Sequence, residues 1–428
     1  MEQTRTSRPL RLPTFSLRAG LHPSAATWVL LQQLIVRGLV AVKFLALGRI
    51  LGPAAIGSIS IALLAVAIAE SLSDTGLAQA IIQDRDAPTA SQLGAVFTTL
   101  ATRGMCIGLL LAALAPTMFR VFHLRAGEIG LLLLAAAIPF IRGTSSPAYY
   151  LVQRERRFQH IAAIEMSAAV ADCSVAIASA LTGAGVYAAL FGTMTGETLK
   201  SALTWITMAP RPPLRLAWSG ISRYVRFSRW IWAASVVSLL LNQFDKVVVA
   251  TLLGPAQFGA YQMSSRLAQM LLADAAIAMS QFLFPTFSSQ HRQNSQRAKR
   301  LFKRYLAVLF CGLVVLVVLL RASATRLFVL VLGKSWIGAV PLFDIFVINM
   351  AIGALIAVLV AYLRAVGNPK AATHASIVQM LVLAVTVPLA TRYWGATGVA
   401  WSITAGLAAA TMFMLYRLTR SDQCARCT

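Results

Sequence analysis

Apolar runs of about 20 residues, repeated along nearly the whole chain and separated by short polar joints, constrain this sequence more than any other feature. A stretch of that length crosses the hydrocarbon core as a helix, whereas a barrel strand would alternate over about 10 residues. Hydrophobic residues supply 58% of the chain and charged ones 12%, against roughly a quarter charged in soluble domains. Mean hydropathy is +0.72. The expected fold is therefore an all-α polytopic membrane protein.

Twelve spans can be placed, at 27–48, 57–80, 91–115, 128–149, 161–181, 187–208, 230–252, 260–284, 305–322, 340–361, 374–391 and 397–416. Pro139 and Pro388 fall inside two of them as kink candidates, tolerable where neighbouring helices satisfy the freed carbonyls. Leu51-Gly52-Pro53 reads as a hairpin corner between the first two spans, since glycine permits positive φ and proline fixes φ. The phrase returns 202 residues later (Leu51 to Leu253) as Leu253-Gly254-Pro255. Two copies of one corner predict two six-helix halves related by an internal parallel repeat, with its axis along the membrane normal. The expected division is a basic arm over 1–24, a first lobe over 25–209, an amphipathic linker over 210–229, a second lobe over 230–416 and a tail over 417–428. In the linker, Trp218, Tyr224, Phe227 and Trp230 alternate with arginines, as in helices that lie at a membrane surface.

The net charge of +24 would suggest nucleic acid in a soluble protein. Here it reports topology. With the N-terminus inside, basic residues collect in the inner segments, while Arg49, Arg120, Arg125, Arg321, Arg326, Lys334 and Arg392 are the ones left outside. That bias predicts both termini in the cytoplasm, and no separate soluble basic domain remains to bind nucleic acid. The arm over 1–24 lacks the early apolar core of a signal peptide. Cys106, Cys173 and Cys311 lie in apolar runs and read as small core hydrophobes. Cys424 and Cys427 form a lone C-x-x-C with no second pair, which is weak as a metal site. No catalytic or metal-binding constellation is present, so no enzyme is expected.

Charges inside the spans carry the functional argument. Arg37, Lys43, Arg103, Arg142, Lys200, Lys246 and Arg266 fall there, as do Glu70, Asp74, Glu165, Asp172, Glu197, Asp245, Asp274 and Asp344. Each costs about 2.5–3.5 kcal/mol at a helix centre, so each must face protein or water. Pairing between helices is the plain reading of any one of them. As a set they predict a hydrated interior. Arg37 and Arg103 lie roughly 15–20 Å into their helices at 1.5 Å per residue. A cationic cavity suits an anionic substrate, and arginine grips phosphate through a bidentate fork. Arg37, Lys43, Arg103, Arg142 and Arg266 are the substrate-binding candidates. Asp245 and Asp274 are the candidates for an H⁺ or Na⁺ coupling site, with Lys246 an alternative neutralising neighbour of Asp245. No other cofactor is expected. Glu70 and Asp74, four residues apart and so on one helix face, read as an acidic pair in an inner vestibule, with Arg85 as counter-charge.

The run from Leu47 to Gly57, then Ser73-Asp74-Thr75-Gly76-Leu77 onward to Gln83, resembles the N-terminal part of Wzx-type polysaccharide flippases. Asn242 to Asp245 followed by Leu253 to Tyr261 resembles the seventh and eighth helices of the same group, and Glu155-Arg156-Arg157-Phe158 its basic inner loop. These stretches place the resemblance in the multidrug/oligosaccharidyl-lipid/polysaccharide exporter superfamily. It implies a two-lobed exporter of the bacterial inner membrane that passes an undecaprenyl-diphosphate-linked oligosaccharide to the outer leaflet, for exopolysaccharide or lipopolysaccharide synthesis. Its partners would be that substrate, membrane lipids, and polysaccharide polymerase and assembly proteins. A drug/cation antiporter of the same superfamily would favour an acidic cavity. A membrane polymerase or ligase would carry a large outer loop, whereas the outer loops here are short.

Overall fold

The computed structural model describes residues 25–74, 76–83, 88–209 and 222–427, with backbone alone at 25–26, 78, 80, 222–234, 237–238, 273–282 and 419–427. The basic arm, Arg85, residues 210–221 of the linker and the side chains of Asp274, Cys424 and Cys427 lie outside what is described. Among the described residues every regular element is helical. In chain order these are α1 (Ala25–Leu72), α2 (Leu77–Gln83), α3 (Ala90–Val121), α4 (Ile129–Gly143), α5 (Ala148–Arg154), α6 (Phe158–Leu181), α7 (Ala188–Thr207), α8 (Ser222–Ala268), α9 (Asp274–Gln293), α10 (Ser295–Val331), α11 (Val340–Ala365) and α12 (Pro369–Cys427). Six described helices are long and apolar enough to cross a membrane, and α4 with α5 would make a seventh. This is an all-α, multi-pass membrane protein.

Three of the helices carry a glycine with non-helical backbone: Gly52 in α1, Gly254 in α8 and Gly395 in α12. The membrane-crossing lengths of α1 and α12, 46 and 50 residues, are each enough for two passes. Gly52 adopts φ 78°, ψ 179° and Gly254 φ 78°, ψ 175°. A residue with a Cβ is strained there, and the following proline starts the next helical stretch without losing a needed donor. The repeated phrase thus has one repeated backbone.

The two corners also clasp each other. A Cβ added at Gly57 would run into the Pro255 carbonyl, and one at Gly259 into the Pro53 carbonyl. This reciprocal contact lies where α1 packs on α8, and it needs backbone-to-backbone approach that only glycine permits. Otherwise the helices pack in two sets: α1, α3, α4, α6 and α7 in the first half, and α8 to α12 in the second. One apolar core runs through both, from Leu47 and Ile61 to Phe258, Tyr261, Phe343 and Trp336.

Several sequence expectations are corrected here. The span over 128–149 is not one helix: α4 ends at Gly143, and α5 leaves it at 59°. The break falls at Pro147, which caps α5, because proline disfavours helical backbone in the residue before it. Pro139 and Pro388 stay inside helices, and α12 breaks at Gly395 instead. The span over 260–284 contains a π-helical turn, Gln269–Ala273. The span over 57–80 ends at Leu72, so Asp74 has left the helix and does not share a helix face with Glu70. There Asp74 accepts the Gly76 backbone N–H at 3.0 Å, a short polar turn that competes with helix. Cys173 is buried, but Cys106 and Cys311 are exposed on the bundle surface. The linker helix is already part of α8 from Ser222 onward.

Candidate functional site

A cavity of about 350 Å³ lies between α1 and α8. Val40, Lys43 and Phe44 approach it from before Gly52, and Ser60, Leu63, Leu64 and Ala67 from after it. Gln243 and Lys246 precede Gly254, and Gln262, Ser265, Arg266 and Gln269 follow it. Residues at similar chain distances on either side of each corner therefore face one space, as they do when each corner folds the chain back on itself. Among the described residues, three cations line this cavity and no carboxylate does.

The cations are held differently. Lys43 Nζ pairs with Asp172 on α6 at 2.7 Å and donates to Thr193 Oγ1 on α7 at 3.2 Å. Lys246 Nζ donates to the Asn242 carbonyl at 2.6 Å and to Gln243 Oε1 at 3.0 Å. Both of these hydrogen-bond partners are neutral, and Asp245 acts on the ammonium through space without a direct ion pair. Arg266 is exposed on the cavity wall. Asp245 takes a hydrogen bond from the Tyr261 hydroxyl, whose ring is fully buried edge-on against Phe346. Successive helix residues project about 100° apart, which separates the Asp245 carboxylate from the Lys246 ammonium. Lys246 does not neutralise Asp245 by a direct ion pair; it belongs to the cavity.

A second cavity of about 360 Å³ is built in the first half of the chain by Glu70, Ser71, Asp74, Arg103, Arg142 and Tyr150, with Leu100, Ile107 and Pro139 as apolar wall. Arg142 bridges Glu70 and Glu197, at 2.7 Å to each. Arg103 donates to the Glu70 carbonyl at 2.6 Å and to Ser73 Oγ at 3.1 Å. Asp74 Oδ2 accepts from Ser235 of α8 at 3.2 Å. Beside it, Lys200 pairs with Glu165 at 2.6 Å, and the Tyr149 hydroxyl donates to the same carboxylate at 2.9 Å.

The five cationic candidates therefore do not share one cavity. Lys43 and Arg266 line the space between α1 and α8. Arg103 and Arg142 line the other, where carboxylates offset them and the lining is close to neutral. Arg37 is exposed and donates to Gln33 one turn back at 3.2 Å; it sits three residues before Val40, on the same stripe of α1. Glu70 pairs with Arg142, while the expected counter-charge Arg85 lies outside the described residues. Asp274 opens α9 directly after the π turn. Lys246, Gln243, Gln262 and Gln269 escaped sequence reasoning as cavity residues, although their spacing around the repeated corner could have found them. Among the described residues, no group of three or more His, Cys, Asp or Glu could hold a metal ion.

Just before the Gly52 corner, hydrogen bonds join the two helix sets. Arg49 Nη1 donates to the Leu330 and Val331 carbonyls at 2.6 and 3.2 Å. Trp336, fully buried, donates Nε1–H to the Gly48 carbonyl at 2.9 Å.

Residues 46–341 match the family model described as polysaccharide biosynthesis protein. The lipopolysaccharide biosynthesis protein WzxC of Escherichia coli (strain K12) is 24% identical over 355 residues, covering 81% of this chain and 68% of that protein. The succinoglycan biosynthesis transport protein ExoT of Rhizobium meliloti (strain 1021) is 22% identical over 347 residues, covering 80% and 68%. The fold is similar to that of the lipid II flippase MurJ in an inward closed conformation, with a TM-score of 0.73 at 13% identity, over 92% of this chain and 87% of that one.

Proposed function

Because the chain belongs to the polysaccharide biosynthesis protein family, we propose that it is a flippase carrying a lipid-diphosphate-linked oligosaccharide from the inner to the outer leaflet of the bacterial inner membrane. One observation carries the reading: the cavity of Lys43, Lys246 and Arg266 at the crossing of the two repeated corners, where no described lining residue is a carboxylate. A diphosphate presents only acceptor oxygens and negative charge, so it is matched by ammonium, guanidinium and amide donors. A cationic drug would meet no carboxylate among the described lining residues, and Asp172 behind Lys43 is already paired.

Twelve spans in two lobes, with both termini in the cytoplasm, give this cavity its place between lobes that rock against each other. The lipid tail stays in the bilayer while the diphosphate passes through the cavity, with Arg37 at its approach. Transport involves no covalent chemistry. The coupling ion is H⁺ or Na⁺, with Asp245 as its sensor behind the Tyr261 hydroxyl. A polymerase working on the outer leaflet is the natural consumer of the product.

The test is the leaflet location of lipid-linked oligosaccharide in cells lacking the protein, read with a membrane-impermeant glycan-modifying reagent on spheroplasts. Complete single units protected on the cytoplasmic leaflet, with surface polymer lost, are the expected result. Single units reactive on the outer leaflet would overturn the reading in favour of a polymerase. Unchanged glycan with altered drug tolerance would overturn it in favour of a drug exporter.

A further inference from the structure

The second half of α1 lines both cavities in succession. Leu63 and Ala67 face the cationic space, and Glu70, Ser71 and then Asp74 the near-neutral one. The steps from 63 to 67 and 70 keep to one helical stripe, Asp74 follows in the turn beyond the end of the helix, and Ala67 and Ser71 are about 6 Å apart along the axis at 1.5 Å per residue. An elongated ligand can lie along this stripe with one end in each cavity.

Their linings call for different chemistry. The cavity at Glu70, Arg103, Arg142 and Tyr150 offers guanidinium donors, carboxylate acceptors and one aromatic wall, in about 360 Å³. Bonds among the described residues use Nε and Nη2 of Arg103 and Nε and Nη1 of Arg142, which leaves Nη1 of Arg103 and Nη2 of Arg142 for a ligand. A diphosphate would be repelled by Glu70 and Asp74. A sugar would not, because each hydroxyl both donates and accepts and the C–H face of the ring packs on an aromatic plane. Resting on the flippase reading above, we infer that this cavity is the saccharide subsite, holding the first sugar residues while the cationic cavity holds the diphosphate. Tyr150 supplies the packing wall. Arg142, tied to Glu70 and Glu197, sets the positions of the acceptors.

The experiment uses the full chain in nanodiscs and two probes. The first is the lipid-linked units that accumulate in a strain lacking the protein, and the second is undecaprenyl diphosphate without sugar. Tyr150→Ala is expected to weaken binding of the glycosylated lipid by about tenfold and to leave the bare lipid unchanged, which also shows that the variant is folded. Tyr150→Phe keeps the ring and keeps the affinity. Lys246→Ala weakens both lipids. Equal loss on both lipids for Tyr150→Ala, or no loss on either, overturns the subsite. Equal binding of the two lipids by the unaltered protein overturns it as well and leaves the flippase reading standing. Failure of the unaltered protein to bind either lipid overturns both.

Discussion

Gly57→Ala puts a methyl group against the Pro255 carbonyl, at the point where the two corners clasp. The obstruction is backbone, so no side chain can swing aside. The helices must part by roughly 1 Å or more, and overpacking of this kind costs about 1–3 kcal/mol. The cost falls only on the arrangement in which α1 and α8 cross this closely. It shifts the balance toward a state with the corners apart by about 5- to 150-fold. Gly259→Ala acts at the symmetric position against Pro53, and because both methyls pry open one crossing, the double variant costs less than the sum of the singles. Spin labels at Ile50→Cys and Leu330→Cys report the separation, both sites being exposed (41% and 77%) on opposite sides of the Arg49 contact. The five native cysteines are first replaced. Double electron–electron resonance should show a longer-distance population that grows in Gly57→Ala and Gly259→Ala. Distance distributions and melting temperatures superimposable on the parent would refute the reasoning, since a tight crossing cannot accept a methyl without one change or the other.

Other predictions follow from the same contacts. Arg49→Gln removes two hydrogen bonds to carbonyls at the end of α10; the site is exposed, so the loss is about 1 kcal/mol, and the same label pair should show a smaller shift than Gly57→Ala gives. Lys43→Met strands the Asp172 carboxylate, whose side chain is only 20% exposed, and should cost about 3 kcal/mol in thermal or denaturant melts. The Lys43→Met/Asp172→Leu double variant should recover most of that loss, which a purely substrate-directed Lys43 would not do. Asp245→Asn removes the titratable carboxyl behind the Tyr261 hydroxyl and should abolish stimulation of transport by an ion gradient in vesicles while substrate binding persists. Retained stimulation would remove Asp245 from the coupling site.

What could be read from the sequence was whatever depends on local chemistry. An apolar run in a bilayer must satisfy its backbone internally, so run length gives helices without any knowledge of neighbours. Gly52-Pro53 and Gly254-Pro255 each specify their own backbone, and the repeated phrase does adopt one repeated corner. The same local reasoning failed where two breakers competed. Pro139 looked like a kink, but α4 ends at Gly143 and α5 starts only after Pro147, because that proline disfavours helical backbone at Ser146. It failed again at Asp74, where a turn to the Gly76 amide ends α1 early.

Partnership between charges was decided by the tertiary structure alone. Residue type and depth marked Arg103, Arg142, Lys43 and Arg266 alike as buried cations. Which of them keeps its charge for a ligand depends on carboxylates that are remote in the chain: Asp172 for Lys43, Glu70 and Glu197 for Arg142. Coulomb energy falls off with distance in space and is blind to distance in sequence. Packing therefore split a single expected cationic set into one cavity that carries net positive charge and another that is nearly neutral.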